Sequence, residues 1–255
     1  GLGVWLLMGP RRLRKRRSVR ARLRDRLDAS WPFLLGESKG ELANVVEPET
    51  RQLMALALNS VTAPLMPGNA IRLLRNGFEA FQAIEDAITA ARHHVHVQSY
   101  IFADDATGVR FRDLLVRKRT EGVAVRVLVD GVGARGRLPF FAPLVRAGGE
   151  VAEFNPVSIW RLGTAFNARN HRKLVVCDGR VAFTGGLNIA DEYVGRPPDV
   201  SGWRDTHARF EGPCALAFQR AFLQDWEFST HRSVNDRAYF EHGGRAGEHV
   251  VQVLG

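Results

Sequence analysis

From Asn69 onward the chain alternates between two hydrophobic periods, and this alternation constrains its fold more than any other feature. Ile71 to Leu74, Val95 to Phe102, Val123 to Val129 and Val151 to Phe154 are short runs of strand character. Between them, Phe78 to Ala91, Phe111 to Arg119 and Pro139 to Ala147 read as helices, the first with Phe81, Ile84 and Ile88 on one stripe. Leu174 to Val176 and Val181 to Thr184 flank Asp178-Gly179, a strong short hairpin signal. A strand over His207 to Phe210 and a long helix over Ala215 to Phe228 follow. Strands interleaved with helices predict an α/β fold, an α-β-α sandwich around a mixed central sheet.

Composition narrows the class. A chain of 255 residues, 45% hydrophobic and 25% charged, is neither long disorder nor collagen, and it is large enough to bury a sizeable core. Its two cysteines, Cys177 and Cys214, make no disulfide framework and fit a reducing compartment. Cys177 stands in an apolar strand and reads as a buried side chain. The net charge of +9 suggests a nucleic-acid binder until it is located. Ten basic residues and one acid, Asp25, fall within positions 1–26, whereas positions 27–255 hold 26 basic and 26 acidic side chains. The globular part is therefore no polycation, and no nucleic-acid partner is expected.

The ends suggest an organisation. Positions 1–8 are apolar, about 12 Å if helical against a hydrocarbon core of about 30 Å, and the Arg-rich run follows them. That order predicts the exit end of a membrane segment with a basic arm on the cytoplasmic side, rather than a signal peptide. Positions 27–68 read as a linking region with short helical patterns such as Glu49 to Leu58. Positions 69–255 read as the main folded part. The apolar strand beginning at His249 predicts further chain, with a second half starting at about 248–255.

The chemistry concentrates in His171-Arg172-Lys173-Leu174-Val175-Val176-Cys177-Asp178 and the turn Gly185-Gly186-Leu187-Asn188. Strand alternation puts His171 and Lys173 on one face. An imidazole titrating near neutrality serves as nucleophile or acid, and a lysine holds phosphoryl oxygens while charge develops on them. Asn188 adds an amide donor, and the glycines admit close backbone approach, which puts Gly186 beside Lys173 and Asn188 among the substrate-binding positions. Composition alone yields the H-x-K-x4-D spacing only about 0.006 times in a chain like this. Only 4 lysines stand against 32 arginines, so a lysine at position 173 is there as a lysine. His93, His94 and His96 lack acidic or thiol partners at metal-site spacing and read as partly exposed strand histidines; no metal is expected.

These residues resemble the signature of the phospholipase D superfamily, H-x-K-x4-D followed by a Gly-rich turn and Asn. Further stretches are similar to bacterial cardiolipin synthases: Gln98 to Asp105, Phe183 to Tyr193, Trp203-Arg204-Asp205-Thr206-His207 and Phe222-Leu223-Gln224-Asp225-Trp226. The resemblance implies a phosphatidyltransferase without cofactor at the bacterial inner membrane. His171 would attack phosphatidylglycerol and expel glycerol. A second phosphatidylglycerol would take the phosphatidyl group from the histidine to give cardiolipin. Lys173 and Asn188 would bind phosphate, and Asp178 would complete the catalytic motif by supporting its backbone from behind. Asp205 is a candidate orienter of the His171 ring, against a salt bridge to Arg204 or Arg209. Tyr100 either lines the entrance or belongs to the core.

Two departures from the family pattern stand out. Gly186 occupies a turn position where many relatives carry Ser or Thr. The family site also joins two H-x-K motifs, whereas this chain has one, so a second half must come from further sequence or a homodimer partner. The rival readings are a homodimeric phosphodiesterase or nuclease of the same superfamily and a non-catalytic membrane-binding module. Intact His171, Lys173 and Asn188 argue against the latter.

Overall fold

The computed structural model describes residues 65–133, 138–156, 170–194, 205–234, 237–240 and 244–253. The apolar and basic N-terminal segment, the linking region up to position 64, and Trp203 and Arg204 lie outside the described residues.

Eight strands form one mixed sheet: β1 (Met66–Leu74), β2 (His94–Ser99), β3 (Ala124–Asp130), β4 (Glu150–Phe154), β5 (Leu174–Cys177), β6 (Val181–Gly185), β7 (His207–Glu211) and β8 (His249–Val251). Their order is β4-β3-β2-β5-β6-β7-β1-β8. The β4, β3 and β2 neighbours are parallel and joined by helices, as parallel crossovers require. From β2 onward every pairing is antiparallel. The expected β5–β6 hairpin is present, and Asp178 and Gly179 both take left-handed φ values, 55° and 65°, as a tight primed turn needs.

Helices α1 (Gly77–Ala90), α2 (Ala106–Thr120) and the short α3 (Ala142–Arg146) cover one face; α4 (Ala215–Thr230) covers the other. Strand alternation divides the core accordingly. Val95, Val97, Val127, Val175 and Phe183 pack under α1 and α2, while Leu128, Leu174, Val176 and Ala182 pack under α4. The α1 stripe of Phe81, Ile84 and Ile88 is buried, at about 1.5–3 kcal/mol for each such side chain removed from water. The α-β-α sandwich with a mixed sheet is the architecture expected from the periodicity.

Three details depart from the expected pattern. Strand β1 starts at Met66, running through Pro67 and Gly68 by way of an irregularity in its pairing with β8. The helix expected from Pro139 divides into a 3-10 turn, Leu138–Phe141, and α3. Of the three histidines read as partly exposed, only His93 is exposed; His94 and His96 are fully buried. Their face of β2 meets α4, where Gln219 bonds both rings, at 3.3 Å to His94 Nε2 and 2.8 Å to His96 Nδ1. Burial lowers the His94 pKa to about 4, against an opposing pull from Asp178, and sends that of His96 well below its ordinary value.

Candidate active site

The site forms where β5 begins and β2 and β6 end. Leu174 pairs with Gln98 on one side and Thr184 on the other, so the register carries Lys173 level with Ser99 and Gly185. Gly185 in turn pairs with His207. Residues directly opposite one another in antiparallel ladders share a face. Lys173, Gly185 and His207 therefore form one row across three strands, and the glycine leaves no side chain between the lysine and the histidine.

His171, exposed, is three residues before β5. Its ring lies 5.0 Å from that of Tyr100, centroid to centroid and tilted by 56°. Lys173 is nearly inaccessible, 4% exposed, and its Nζ donates to the His171 carbonyl at 2.9 Å. The same ammonium stands 5.4 Å from the Tyr100 ring centroid. Tyr100, half-buried, thus lines the site and touches both residues of the pair. Burial lowers the Lys173 pKa to about 8, and the Asp205 carboxylate resists that fall. The group stays mainly an ammonium at neutral pH.

Asn188 sits just beyond β6, 4% exposed. Its Oδ1 accepts from the backbone N–H of Ile101 at 3.1 Å and its Nδ2 donates to the Tyr193 hydroxyl at 2.7 Å. Part of its amide is therefore structural, joining the loop after β2 to the loop after β6. The same two loops meet through the Phe102–Ile189 bridge. Asp105, the N-cap of α2, bonds the N–H of Gly108 and of Asp191, while Asp191 bonds those of Ala106 and Thr107. A cleft of about 410 Å³ opens beside Tyr100 between these loops, with Ala103, Val132, Ala190 and Glu192 also in its wall.

Asp178 is at the opposite end of β5. Its carboxylate accepts from three backbone N–H groups, those of Arg92, His93 and His94, each at 2.8 Å. Burial pushes its pKa up, but the three donors outweigh it and the net shift is downward. The third member of the spacing pattern therefore fastens the start of β2 to the β5–β6 hairpin and lies away from His171 and Lys173.

Gly186 and Asp205 meet directly: a Cβ on Gly186 would collide with the Asp205 carboxylate. Asp205 also accepts from the N–H of Thr206 at 2.7 Å. Arg209, considered as its partner, pairs instead with Glu211 at 2.8 Å. From sequence His207 is only the start of a strand and the end of a family-like stretch, with no role in the site, although alternation places it on the same face as Asp205. It is 3% exposed, and its ring leans over Gly185, where a Cβ would come within 2.6 Å of Nδ1. Burial lowers its pKa to about 4, with Asp205 opposing and Lys173 adding to the fall.

The arrangement joins an exposed imidazole to a nearly buried ammonium that is hydrogen-bonded to the same residue's backbone. Such a pair suits attack on a phosphorus centre by nitrogen while charge accumulates on the phosphoryl oxygens.

Residues 84–202 match the family model for the cardiolipin synthase, PLD-like domain. Over these residues the chain is similar to the phospholipase D superfamily. It is similar to cardiolipin synthases. It is 44% identical over 169 residues to cardiolipin synthase 1 of Bacillus anthracis, covering 66% of this chain and 33% of that protein. It is 38% identical over 184 residues to the major cardiolipin synthase ClsA of Bacillus subtilis (strain 168), covering 72% and 38%. The chain thus spans about a third of the length of these relatives. Among solved structures, the phospholipase D family member Nuc of Salmonella typhimurium overlays with a TM-score of 0.49 at 17% identity, covering 66% of this chain and 99% of that one. No helix among the described residues is long and apolar enough to cross a membrane.

Proposed function

We propose that the chain is one catalytic half of a cardiolipin synthase-type phosphatidyltransferase. The observation that carries the reading is the His171–Lys173 pair: an exposed ring beside Tyr100, and an ammonium held at the His171 carbonyl. A nitrogen of His171 attacks the phosphorus of one phosphatidylglycerol. The P–N bond forms, the P–O bond to glycerol breaks, and the glycerol oxygen takes a proton. A hydroxyl of a second phosphatidylglycerol then attacks the phosphatidyl-histidine, loses its proton and breaks the P–N bond, giving cardiolipin. Lys173 holds the phosphoryl oxygens through both steps, assisted by the second N–H of Asn188 and by the turn at Gly186. Asp205 is the candidate for orienting the imidazole, and Asp178 acts through the backbone.

The proton steps call for a second acid–base histidine, which in this reading comes from a second H-x-K half in the same polypeptide or in a two-fold partner. The substrate is an anionic phospholipid. The apolar-then-basic order of positions 1–26 supports a setting at the cytoplasmic face of the bacterial cell membrane. The near-neutral charge of positions 27–255 disfavours a nucleic-acid phosphodiester as substrate.

The test is product analysis with protein expressed from the complete reading frame and pure phosphatidylglycerol in mixed micelles. Cardiolipin and free glycerol in equal amounts are expected. Phosphatidic acid as the main product would favour the hydrolytic phosphodiesterase reading, and no turnover of any lipid would favour a membrane-binding module.

A further inference from the structure

The segment Phe222-Leu223-Gln224-Asp225-Trp226 carries an acid that plays no part in the chemistry above, yet the Asp225 carboxylate gathers three side-chain donors on the α4 side of the sheet. A single oxygen, Oδ2, accepts from Asn170 Nδ2 at 2.6 Å, from Arg172 Nη1 at 2.6 Å and from Gln98 Nε2 at 3.0 Å. All but Arg172 are nearly inaccessible: Asp225 is 6% exposed, Asn170 6% and Gln98 3%.

Two of these partners are the residues immediately before and after His171. Their side chains are drawn to the α4 side, while the intervening ring lies against Tyr100. The segment is tied at further points. The Asn170 N–H donates to Asp130 Oδ2 at 3.0 Å, the Arg172 N–H donates to Asn170 Oδ1 at 3.1 Å, and Lys173 Nζ returns to the His171 carbonyl. Asp130 Oδ1 meanwhile accepts from the N–H of Val132, at the edge of the cleft. His171 precedes the regular ladder of β5, so no strand pairing fixes its backbone. The hydrogen bonds on Asp225 take over that task.

We infer that Asp225 is a positioning residue for His171, acting through Asn170 and Arg172 to set where the ring meets a phosphodiester. The inference rests on the proposed role of His171 as attacking group. A shift of about 1 Å in a reacting group costs on the order of 100-fold in rate, and charge-assisted bonds near 2.6 Å are stiff enough to prevent it. Asp225 thus couples the packing of α4 to the geometry of the site.

The experiment compares wild type, Asp225→Asn, Arg172→Gln and the double variant, expressed from the complete reading frame, on phosphatidylglycerol in mixed micelles. kcat, KM and thermal midpoint are measured for each. Asparagine keeps the shape and one acceptor oxygen but drops the charge facing Arg172. The expected result is kcat lower by about 10- to 100-fold, KM within about twofold and a nearly unchanged midpoint. The double variant should be no slower than the slower single variant, because both act through one set of bonds. Wild-type kcat in folded Asp225→Asn, or losses that multiply in the double variant, would overturn the inference. If Asp225→Asn fails to fold, Arg172→Gln at a partly exposed position decides, and wild-type kcat there overturns it. A wild type that makes no cardiolipin defeats the functional reading itself, and the positioning role with it.

Discussion

The carboxylate of Asp205 occupies the space that a side chain at Gly186 would need. The second glycine of the turn is therefore matched to an acid 19 positions later, and the same acid holds up the pKa of Lys173. Glycine here makes room for a protein group, a demand on the turn beyond the close backbone approach expected from the sequence. In both Gly186→Ala and Gly186→Ser the Asp205 carboxylate has to move. We expect each to lower kcat by about tenfold or more with the fold retained, the scale of a displaced electrostatic group. Steady-state rates and far-ultraviolet circular dichroism check this, and unchanged rates would show that Asp205 moves aside without consequence.

Lys173 provides a charge, so Lys173→Met should reduce turnover by about 100-fold or more. A twofold loss would make the lysine peripheral. Its pKa of about 8 also gives the wild-type rate a limb on the alkaline side: the ammonium is present below that pH and lost above it. Asp205→Asn removes the charge that favours the ammonium, so the limb should move to lower pH in a kcat profile. Movement to higher pH would contradict the arrangement.

Asp178 acts on stability. Asp178→Ala removes the acceptor of three backbone N–H groups and places alanine at a left-handed φ of 55°. A loss of about 2–4 kcal/mol in unfolding free energy is expected. Asp178→Asn, which tolerates that φ and retains an acceptor, should recover part of it. Urea unfolding distinguishes the two, and equal midpoints for wild type and alanine would refute the role.

Acid should destabilise the protein earlier than its carboxylates alone would. His94, His96 and His207 are held neutral in the folded chain, with pKa values of about 4 for His94 and His207 and a depressed value for His96. The unfolded chain protonates its histidines from about pH 6.5 downward. It therefore binds more protons than the folded chain, and stability falls as pH drops from about 6.5 towards 4. Each histidine contributes a slope of about 1.4 kcal/mol per pH unit in that window. Urea midpoints between pH 7 and pH 4.5 test this; a flat profile from 7 to 5 would contradict it.

The sheet was legible because its strands are rich in valine and short, and because Asp178-Gly179 has few alternatives to a hairpin. The start of β1 was hidden, since Pro67 and Gly68 look like breakers until the irregularity beside β8 is seen. The polar face of β2 misled for a physical reason. Alternating His94, His96 and Gln98 with valines ordinarily means a solvated face. Here Gln219 and Asp225 of α4 bond all three, and no local pattern records a partner more than 120 residues away. His171, Lys173 and Asn188 stood out because their chemistry is local in sequence. The Gly186–Asp205 contact and the row from Lys173 to His207 depend on cross-strand register, which periodicity leaves open.

The central claim is that His171 bonds covalently to the phosphatidyl group, and trapping that adduct tests it most directly. Protein from the complete reading frame is mixed with phosphatidylglycerol labelled in its phosphate, quenched within the first turnover in denaturing detergent at mildly basic pH, which spares both the P–N bond and the acyl esters, and examined for label on the polypeptide. The account predicts an acid-labile adduct mapping to His171, with adduct and cardiolipin formation both abolished in His171→Ala. A His171→Ala protein that keeps most of its lipid transfer would contradict it.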